Sequence, residues 1–415
     1  MIEESLPLFS PLIRIDSARH YEYNRWAFEM MRVGTIYTLY GRRAGAELCF
    51  EKTMEEMVAQ GGEGMQWRIW CNQEAAEVLK GLAWSARVSV VREPMLDRQE
   101  KKAFWLEFQA RKALIAAEVD VFWNPSGCNH FPGQGWHCPT VTTFHDFGEY
   151  HVRAKYDLKR TIFRKWLCIP RSLRRSKRFT CVSGFTAQDL KKIFGVRQPV
   201  RVVYNGAQPH RLSEVSGADS IVSKLTGWEP GRHFFFVPGR TDYRGKGLDL
   251  VLDAWNGLRT RLDGMGILFT GPAGEGHEKF LRHLSQADGH AGALVYAGRV
   301  EEQVLAACYQ QATGVLLASR FEGFGFPVLE AMEMSTPVLC SDAGALPEVA
   351  GDAALIFPSG NVSMLQQKMI LLALDQALRE RLRVAGKSRP AFFTWQRCGR
   401  EMLEELAATR QACTT

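Results

Sequence analysis

Two carboxylates, Glu322 and Glu330, stand eight positions apart in Ser319-Arg320-Phe321-Glu322-Gly323-Phe324-Gly325-Phe326-Pro327-Val328-Leu329-Glu330-Ala331. Gly323 and Gly325 let the backbone come close to a ligand, and Pro327 suits the first position of a helix. Glu330 is then expected in the first helical turn, beside amide donors that favour an anion. Carboxylates accept hydrogen bonds from sugar and ribose hydroxyls. The segment therefore offers amides for phosphate and acids for hydroxyls, the groups that a nucleotide-sugar presents. The alternative is a capped helix carrying surface acids.

A second segment, Gly239-Arg240-Thr241-Asp242-Tyr243-Arg244-Gly245-Lys246-Gly247, follows a Phe-rich run and precedes a helical one. It resembles a P-loop, but five residues separate Gly239 from Gly245 and Gly247 replaces the magnesium-binding hydroxyl, which argues against ATP hydrolysis. Arg240 remains as a bidentate phosphate fork and Lys246 as a point charge at a helix start. Two cations so placed can hold a diphosphate leaving group without a metal. A structural loop with solvated charges is the alternative. His145, in Thr143-Phe144-His145-Asp146, closes a β-branched run, where it is expected to point into a cleft and bond a sugar or share charge near a reacting carbon.

The elements that position these residues follow from the pattern of short β-branched or aromatic runs and longer helical ones. His233–Val237, Gly266–Thr270, Ala293–Ala297, Gly314–Ala318 and Pro337–Cys340 read as strands, and Leu248–Leu258, Glu278–Leu284, Glu301–Gln311 and Pro327–Met334 as helices. This alternation predicts a parallel sheet covered by helices, with ligands at the carboxyl ends of its strands. In the first half Val119–Trp123, Thr140–Phe144, Arg178–Val182 and Val200–Tyr204 read as strands. From Asn205 to Arg232 turn formers dominate, so the expected division is a domain over 1–205, a linker over 206–232 and a second domain over 233–390.

The 415 residues fit two cores, and 46% hydrophobic with 23% charged residues is an ordinary globular composition. No spanning helix or signal peptide is read, so a cytoplasmic location is expected. Ten scattered cysteines argue for free, mostly buried thiols. Cys128, His130, His137 and Cys138 cluster, but neighbouring His137 and Cys138 fit one tetrahedral zinc poorly. No Asp-x-Asp triplet supports a metal-bound nucleotide. The net charge of +7 is concentrated in 153–178, where ten cations from Lys155 to Arg178 face Asp157 alone. With Phe163, Trp166, Leu167 and Ile169 between them, they suggest a face for an anionic membrane or acidic acceptor, the alternative being a solvated helix face. No motif for nucleic acid accompanies the charge.

Gly239-Arg240 with Lys246-Gly247, the Phe321 to Met332 run, Pro337-Val338, and Gly344-Ala345-Leu346-Pro347-Glu348-Val349 together resemble the group 1 (GT4) retaining glycosyltransferases of the GT-B fold. The resemblance is strong from about Phe234 to Phe357 and thinner before, at Thr143-Phe144-His145-Asp146, Val182-Ser183 and Tyr204-Asn205-Gly206. It implies an α/β architecture of two Rossmann-like domains whose parallel sheets face a central cleft, with a last helix in 391–415 crossing back to the first domain. It further implies that Arg240 and Lys246 hold the diphosphate, Glu322 the sugar hydroxyls and Glu330 the ribose. The amides of Gly323, Phe324 and Gly325 would approach the donor, Val300 would lie where the base is read, and His145 would line the reaction centre. The first strand of the family is followed by a glycine-rich loop, whereas Ile13 to Tyr23, read as its counterpart, has no glycine, and Ser335 stands in place of a common glycine.

The expected protein is thus a metal-independent, retaining hexosyltransferase of mannose or rhamnose type without a cofactor, using a GDP- or UDP-sugar donor, with GDP-mannose ahead of UDP-hexoses. Its expected acceptor is a growing glycan or a glycolipid in surface polysaccharide synthesis, reached at the inner membrane face. Rivals are a nucleotide-sugar epimerase, a phosphorylase, and a silent scaffold of the same shape that binds a membrane or partner.

Overall fold

The structure is a computed structural model and describes residues 30–41, 45–152, 157–207, 212–288 and 292–412. Its strands form two all-parallel sheets. The first contains β1 (Met31–Tyr37), β2 (Met65–Cys71), β3 (Ser89–Arg92), β4 (Val121–Asn124), β5 (Thr140–Phe144), β6 (Arg178–Cys181) and β7 (Val200–Val202), in the order β3-β2-β1-β4-β5-β6-β7. The second contains β8 (Phe234–Pro238), β9 (Gly266–Thr270), β10 (Leu294–Tyr296), β11 (Gly314–Leu317), β12 (Val338–Ser341) and β13 (Ala354–Phe357), in the order β10-β9-β8-β11-β12-β13. Helices cover both faces, so central strands such as Phe234–Pro238 and Thr140–Phe144 are buried throughout.

Strand order reverses between β1 and β4 in one sheet and between β8 and β11 in the other. At such switch points the loops diverge and leave a crevice at the carboxyl ends of the strands. The Gly239 to Gly247 loop leaves β8 and the Ser319 to Gly325 loop leaves β11, so the topology itself makes these two distant segments neighbours.

Four strands escaped the periodicity reading. β1 contains Gly34, where an added Cβ would lie 3.0 to 3.1 Å from Trp70, Phe122 and Val119, so close packing and not strand propensity chose the residue. β2 carries Gln66 and Arg68 among its apolar residues, and the short β3 is an edge strand with mostly exposed side chains. β13, also a sheet edge, is half-buried. The first described strand also revises the apparent lack of a glycine-rich loop. Gly41 lies after β1 and Gly45 opens the helix Gly45–Gln60, whereas Ile13 to Tyr23 lies outside the described residues.

The span 206–232 is not a plain linker. It holds the helix Ala218–Thr226, whose Ala218 and Val222 join the core under β8 and β11. Its short apolar stripe was hidden among flanking Gly217, Gly227 and Pro230, which are its caps and the turn beyond. At the other end, Thr394 caps the helix Trp395–Gln411, and Trp395, Cys398, Met402, Leu403 and Leu406 enter the core of the first sheet beside the helix Gly45–Gln60. The nine cysteines among the described residues are buried and free.

Candidate functional site

Lys246 donates a short hydrogen bond to Glu322 Oε1, and Ser319 Oγ donates to the same oxygen at 3.0 Å. Arg320 braces the two loops: its guanidinium binds buried Asp249 at 2.6 and 2.8 Å, and its backbone N–H donates to Gly245 O at 2.9 Å. Gly247 makes the close approach possible. Its φ is +64°, and a Cβ there would lie 1.9 Å from the Ala318 carbonyl oxygen. Arg240 is half exposed, with Asp242 3.8 Å away as a loose partner. The crevice therefore presents one ordered cation, one extended cation and one oriented carboxylate. That set can neutralise a diphosphate and accept hydroxyl hydrogen bonds.

Glu330 is the fifth residue of the helix Phe326–Glu333, one position deeper than a start at Pro327 implies. It is 8% exposed, and Tyr309, whose ring meets Phe236 edge-on, donates to its Oε2 at 2.7 Å. Tyr309 thus orients the carboxylate, a role with no sequence signal other than a lone aromatic in a helix. Phe324 is buried against Phe326 and Phe393, so its contribution to a ligand is its backbone, as it is for Gly323 and Gly325. Val300 lies half-buried in the turn between β10 and the helix Glu302–Gln311.

His145 follows β5 as expected, but its Nε2 donates to the Pro125 carbonyl at 2.9 Å. A carbonyl only accepts, so Nε2 carries the proton; burial holds the ring's pKa below its ordinary value and Nδ1 is left as an acceptor. Of the two roles expected of it, bonding a sugar needs only this acceptor, whereas sharing charge needs a second ring proton that burial disfavours. Its side chain borders a small cavity with Trp123, Thr143 and Asn205. Its backbone abuts the other half: a Cβ on Gly323 would lie 2.2 Å from His145 O.

The halves meet around this point. Ser183 Oγ donates to Gly323 O at 2.8 Å, and His151 stacks on Phe321 with ring centroids 4.7 Å apart. Glu348 supplies a clasp that the motif reading passed over. Its carboxylate accepts from Gly184 N at 2.7 Å, Phe185 N at 3.0 Å and Tyr204 OH at 2.6 Å. It thereby seats a charge of the second half on the amino end of the helix Gly184–Phe194. Glu348 was visible within Gly344 to Val349, and Tyr204 within Tyr204-Asn205-Gly206, but nothing in the spacing paired them.

The basic stretch is partly structural, so its cations do not all belong to one outward face, whether that face meets an anionic partner or solvent. Buried Arg164 forms a two-pronged pair with Glu149 at 2.8 and 3.0 Å. Arg171 and Arg175 reach Glu107 at 3.6 and 3.1 Å, and Arg178 reaches Glu405 at 2.7 Å. Arg174 and Lys177 are exposed, and residues 153–156 lie outside the described residues. Among the described residues no group of three or more His, Cys, Asp or Glu side chains gathers as a metal site.

Comparison with known proteins agrees with this geometry. The family described as glycosyl transferases group 1 matches residues 222–389, and glycosyltransferase family 4 matches 45–211. An O-antigen chain mannosyltransferase B of Escherichia coli is 35% identical over 107 residues, covering 26% of this chain and 28% of the relative. A phosphatidyl-myo-inositol mannosyltransferase of Mycobacterium leprae is 32% identical over 169 residues, covering 40% and 43%. The chain thus spans less than half the length of these two curated relatives. An Anabaena protein solved in complex with UDP-glucose superposes with a TM-score of 0.68 at 16% identity, over 91% of this chain and 100% of that one, a likeness of fold. The two matched segments together take in both sheets and the loops that form the crevice, and the chain belongs to the group 1 glycosyltransferases, with the GT-B fold.

Proposed function

We propose that the protein transfers a hexose from a nucleotide diphosphate sugar to a hydroxyl of a glycan or glycolipid acceptor in surface polysaccharide synthesis, with retention of configuration and without a metal. The observation that carries this reading is the meeting of Lys246 and Glu322 at the β8/β11 switch point, with Arg240 beside them. In the proposed division, 233–390 holds the donor, and 1–205, completed by the helix in 391–415, holds the acceptor.

Arg240 and Lys246 neutralise the diphosphate, Glu322 accepts hydrogen bonds from the transferred sugar, and Glu330 accepts them from the ribose. Amides of Gly323, Phe324 and Gly325 approach the donor, and Val300 lies against the base. The bond from the anomeric carbon to the leaving phosphate oxygen breaks as the acceptor oxygen bonds to that carbon on the same face. The acceptor's proton passes to the leaving oxygen, and the nucleoside diphosphate departs with its charge balanced by the two cations. His145, neutral, positions the sugar by accepting a hydroxyl hydrogen bond at Nδ1.

Mannosyltransferases among the relatives support GDP-mannose as the first donor to test, and the UDP-glucose complex of the Anabaena protein supports UDP-hexoses as the second. In this reading a lipid-linked acceptor is reached peripherally at the inner membrane face; no described helix is long and apolar enough to cross a membrane. A panel of labelled GDP- and UDP-sugars tests the reading. Turnover of one of them with an acceptor supports transfer, release of an altered free sugar without acceptor indicates an epimerase, and no nucleotide binding leaves a silent scaffold.

A further inference from the structure

Half of the large apolar side chains exposed among the described residues are concentrated on two neighbouring stretches. Phe104, Phe108 and Ile115 are 50%, 64% and 46% exposed, and Leu158, Ile162 and Trp166 are 75%, 49% and 79% exposed. The spacing explains the pattern. Steps of four from 158 to 166 and from 104 to 108 put each set on one side of a helix. The opposite sides, Leu106, Ala110 and Leu114 on one and Arg164 and Cys168 on the other, are buried. Leu106 and Cys168 share a single apolar cluster with Phe163 and Leu167 packed against it, and Glu107 is paired with Arg171 and Arg175 across the two stretches.

Topology turns both outer sides the same way. The first stretch connects β3 to β4 and the second β5 to β6, both running toward the same edge of an all-parallel sheet. Right-handed crossovers put both connections on one face of that sheet, opposite the helix Gly45–Gln60, whose crossover runs the other way. The exposed charge in and beside these apolar residues is more positive than negative: Lys101, Arg111, Lys112, Lys159 and Arg160 against Glu100, Glu118 and Asp157. Cations among outward aromatic and aliphatic side chains complement a surface that is apolar beneath and anionic above, which is a bilayer interface and not a protein groove.

We propose that this two-helix face, with Trp166, Ile162, Phe104 and Phe108 at its crest, is where the protein docks on an anionic lipid surface. This deepens the reading of a membrane-presented acceptor and rests on it for its purpose. The apolar crest, and not the count of cations in 153–178, carries the interaction, since Arg164, Arg171, Arg175 and Arg178 are engaged within the fold. The second stretch begins near the carboxyl edge of β5, so docking holds the cleft beside the lipid headgroups.

The test is co-sedimentation of the full chain with vesicles of phosphatidylglycerol and phosphatidylcholine, and with vesicles of phosphatidylcholine alone. Wild type should bind the anionic vesicles preferentially. The double variants Ile162→Ser with Trp166→Ser, and Phe104→Ser with Phe108→Ser, should each partition about tenfold or more weakly. Unchanged GDP and UDP affinity would show that the variants are folded. Wild type that ignores anionic vesicles, or variants that bind like wild type, would overturn the proposal. So would a wild-type dimer in sedimentation velocity that the variants dissolve, since the face would then belong to a second copy. Vesicle binding without turnover of any donor would keep the docking face and remove glycosyl transfer, and turnover without vesicle binding would do the reverse.

Discussion

At the scale of single residues, Lys246 and Glu322 are separated by 76 positions and joined by the strand order of one sheet. Lys246 is expected to contribute most when charge develops on the leaving diphosphate. Lys246→Ala should lower kcat by roughly two to three orders of magnitude, about 3 kcal/mol or more of transition-state stabilisation; a near-normal rate would refute that role. Glu330 is tied to Tyr309, so the informative change is Glu330→Gln, which keeps an acceptor for the phenol. It should weaken GDP or UDP binding about tenfold with little change in thermal midpoint, in line with a hydrogen bond to a charged acceptor. Isothermal titration that finds equal affinity would detach Glu330 from the ribose. His145 and His130 are both held neutral by burial, with pKa values below the ordinary value. The unfolded chain then binds more protons, so stability present above about pH 6.5 is lost as pH falls through that value toward the lower folded ones. The thermal midpoint should drop on this acid limb, and His145→Asn should flatten part of it. An unchanged limb would contradict the assigned protonation state.

At the scale of elements, the two halves meet through ordered polar contacts beside shared apolar packing, in which Val182 joins the core of Phe324 and Leu346 and His151 stacks on Phe321. Glu348 on the amino end of the helix Gly184–Phe194 and Ser183 on Gly323 O are the ordered examples. Glu348→Ala strips the acceptor from two backbone N–H groups and the Tyr204 hydroxyl, a cost on the order of 1–3 kcal/mol each if they stay dry. Water reaches them if the cleft opens, so the variant should favour an open form. Small-angle scattering should show a larger radius of gyration and kcat should fall several-fold, while donor-half nucleotide binding stays near wild type. An identical scattering curve would show that the clasp does not set closure. The second sheet, apart from its half-buried edge strand β13, was legible because its strands are uninterrupted apolar runs bounded by turn formers, as Phe234–Pro238 and Gly266–Thr270 are. β1, β2 and β3 were not, because Gly34, Gln66, Arg68 and an exposed edge break the pattern for reasons set by neighbours far along the chain. The candidate site divides in the same way. Gly239 to Gly247 and Ser319 to Glu330 are local motifs, whereas Tyr309 on Glu330, Asp249 under Arg320 and Tyr204 on Glu348 exist through tertiary contact alone.

At the scale of the whole molecule, two parallel sheets bring their carboxyl ends to one crevice, and the outer layer of the first sheet carries the exposed apolar and basic face. This division matches the proposed task, with a donor held on one side, an acceptor presented on the other and a closure that excludes water between them. The central claim is that the Lys246 and Glu322 crevice turns over a nucleotide-sugar. Its most direct measurement is nucleoside diphosphate release from a panel of GDP- and UDP-hexoses by the full chain, beside Lys246→Ala. At least one donor should be consumed by wild type and not by the variant. Folded wild-type protein that neither binds nor consumes any of them would contradict the account.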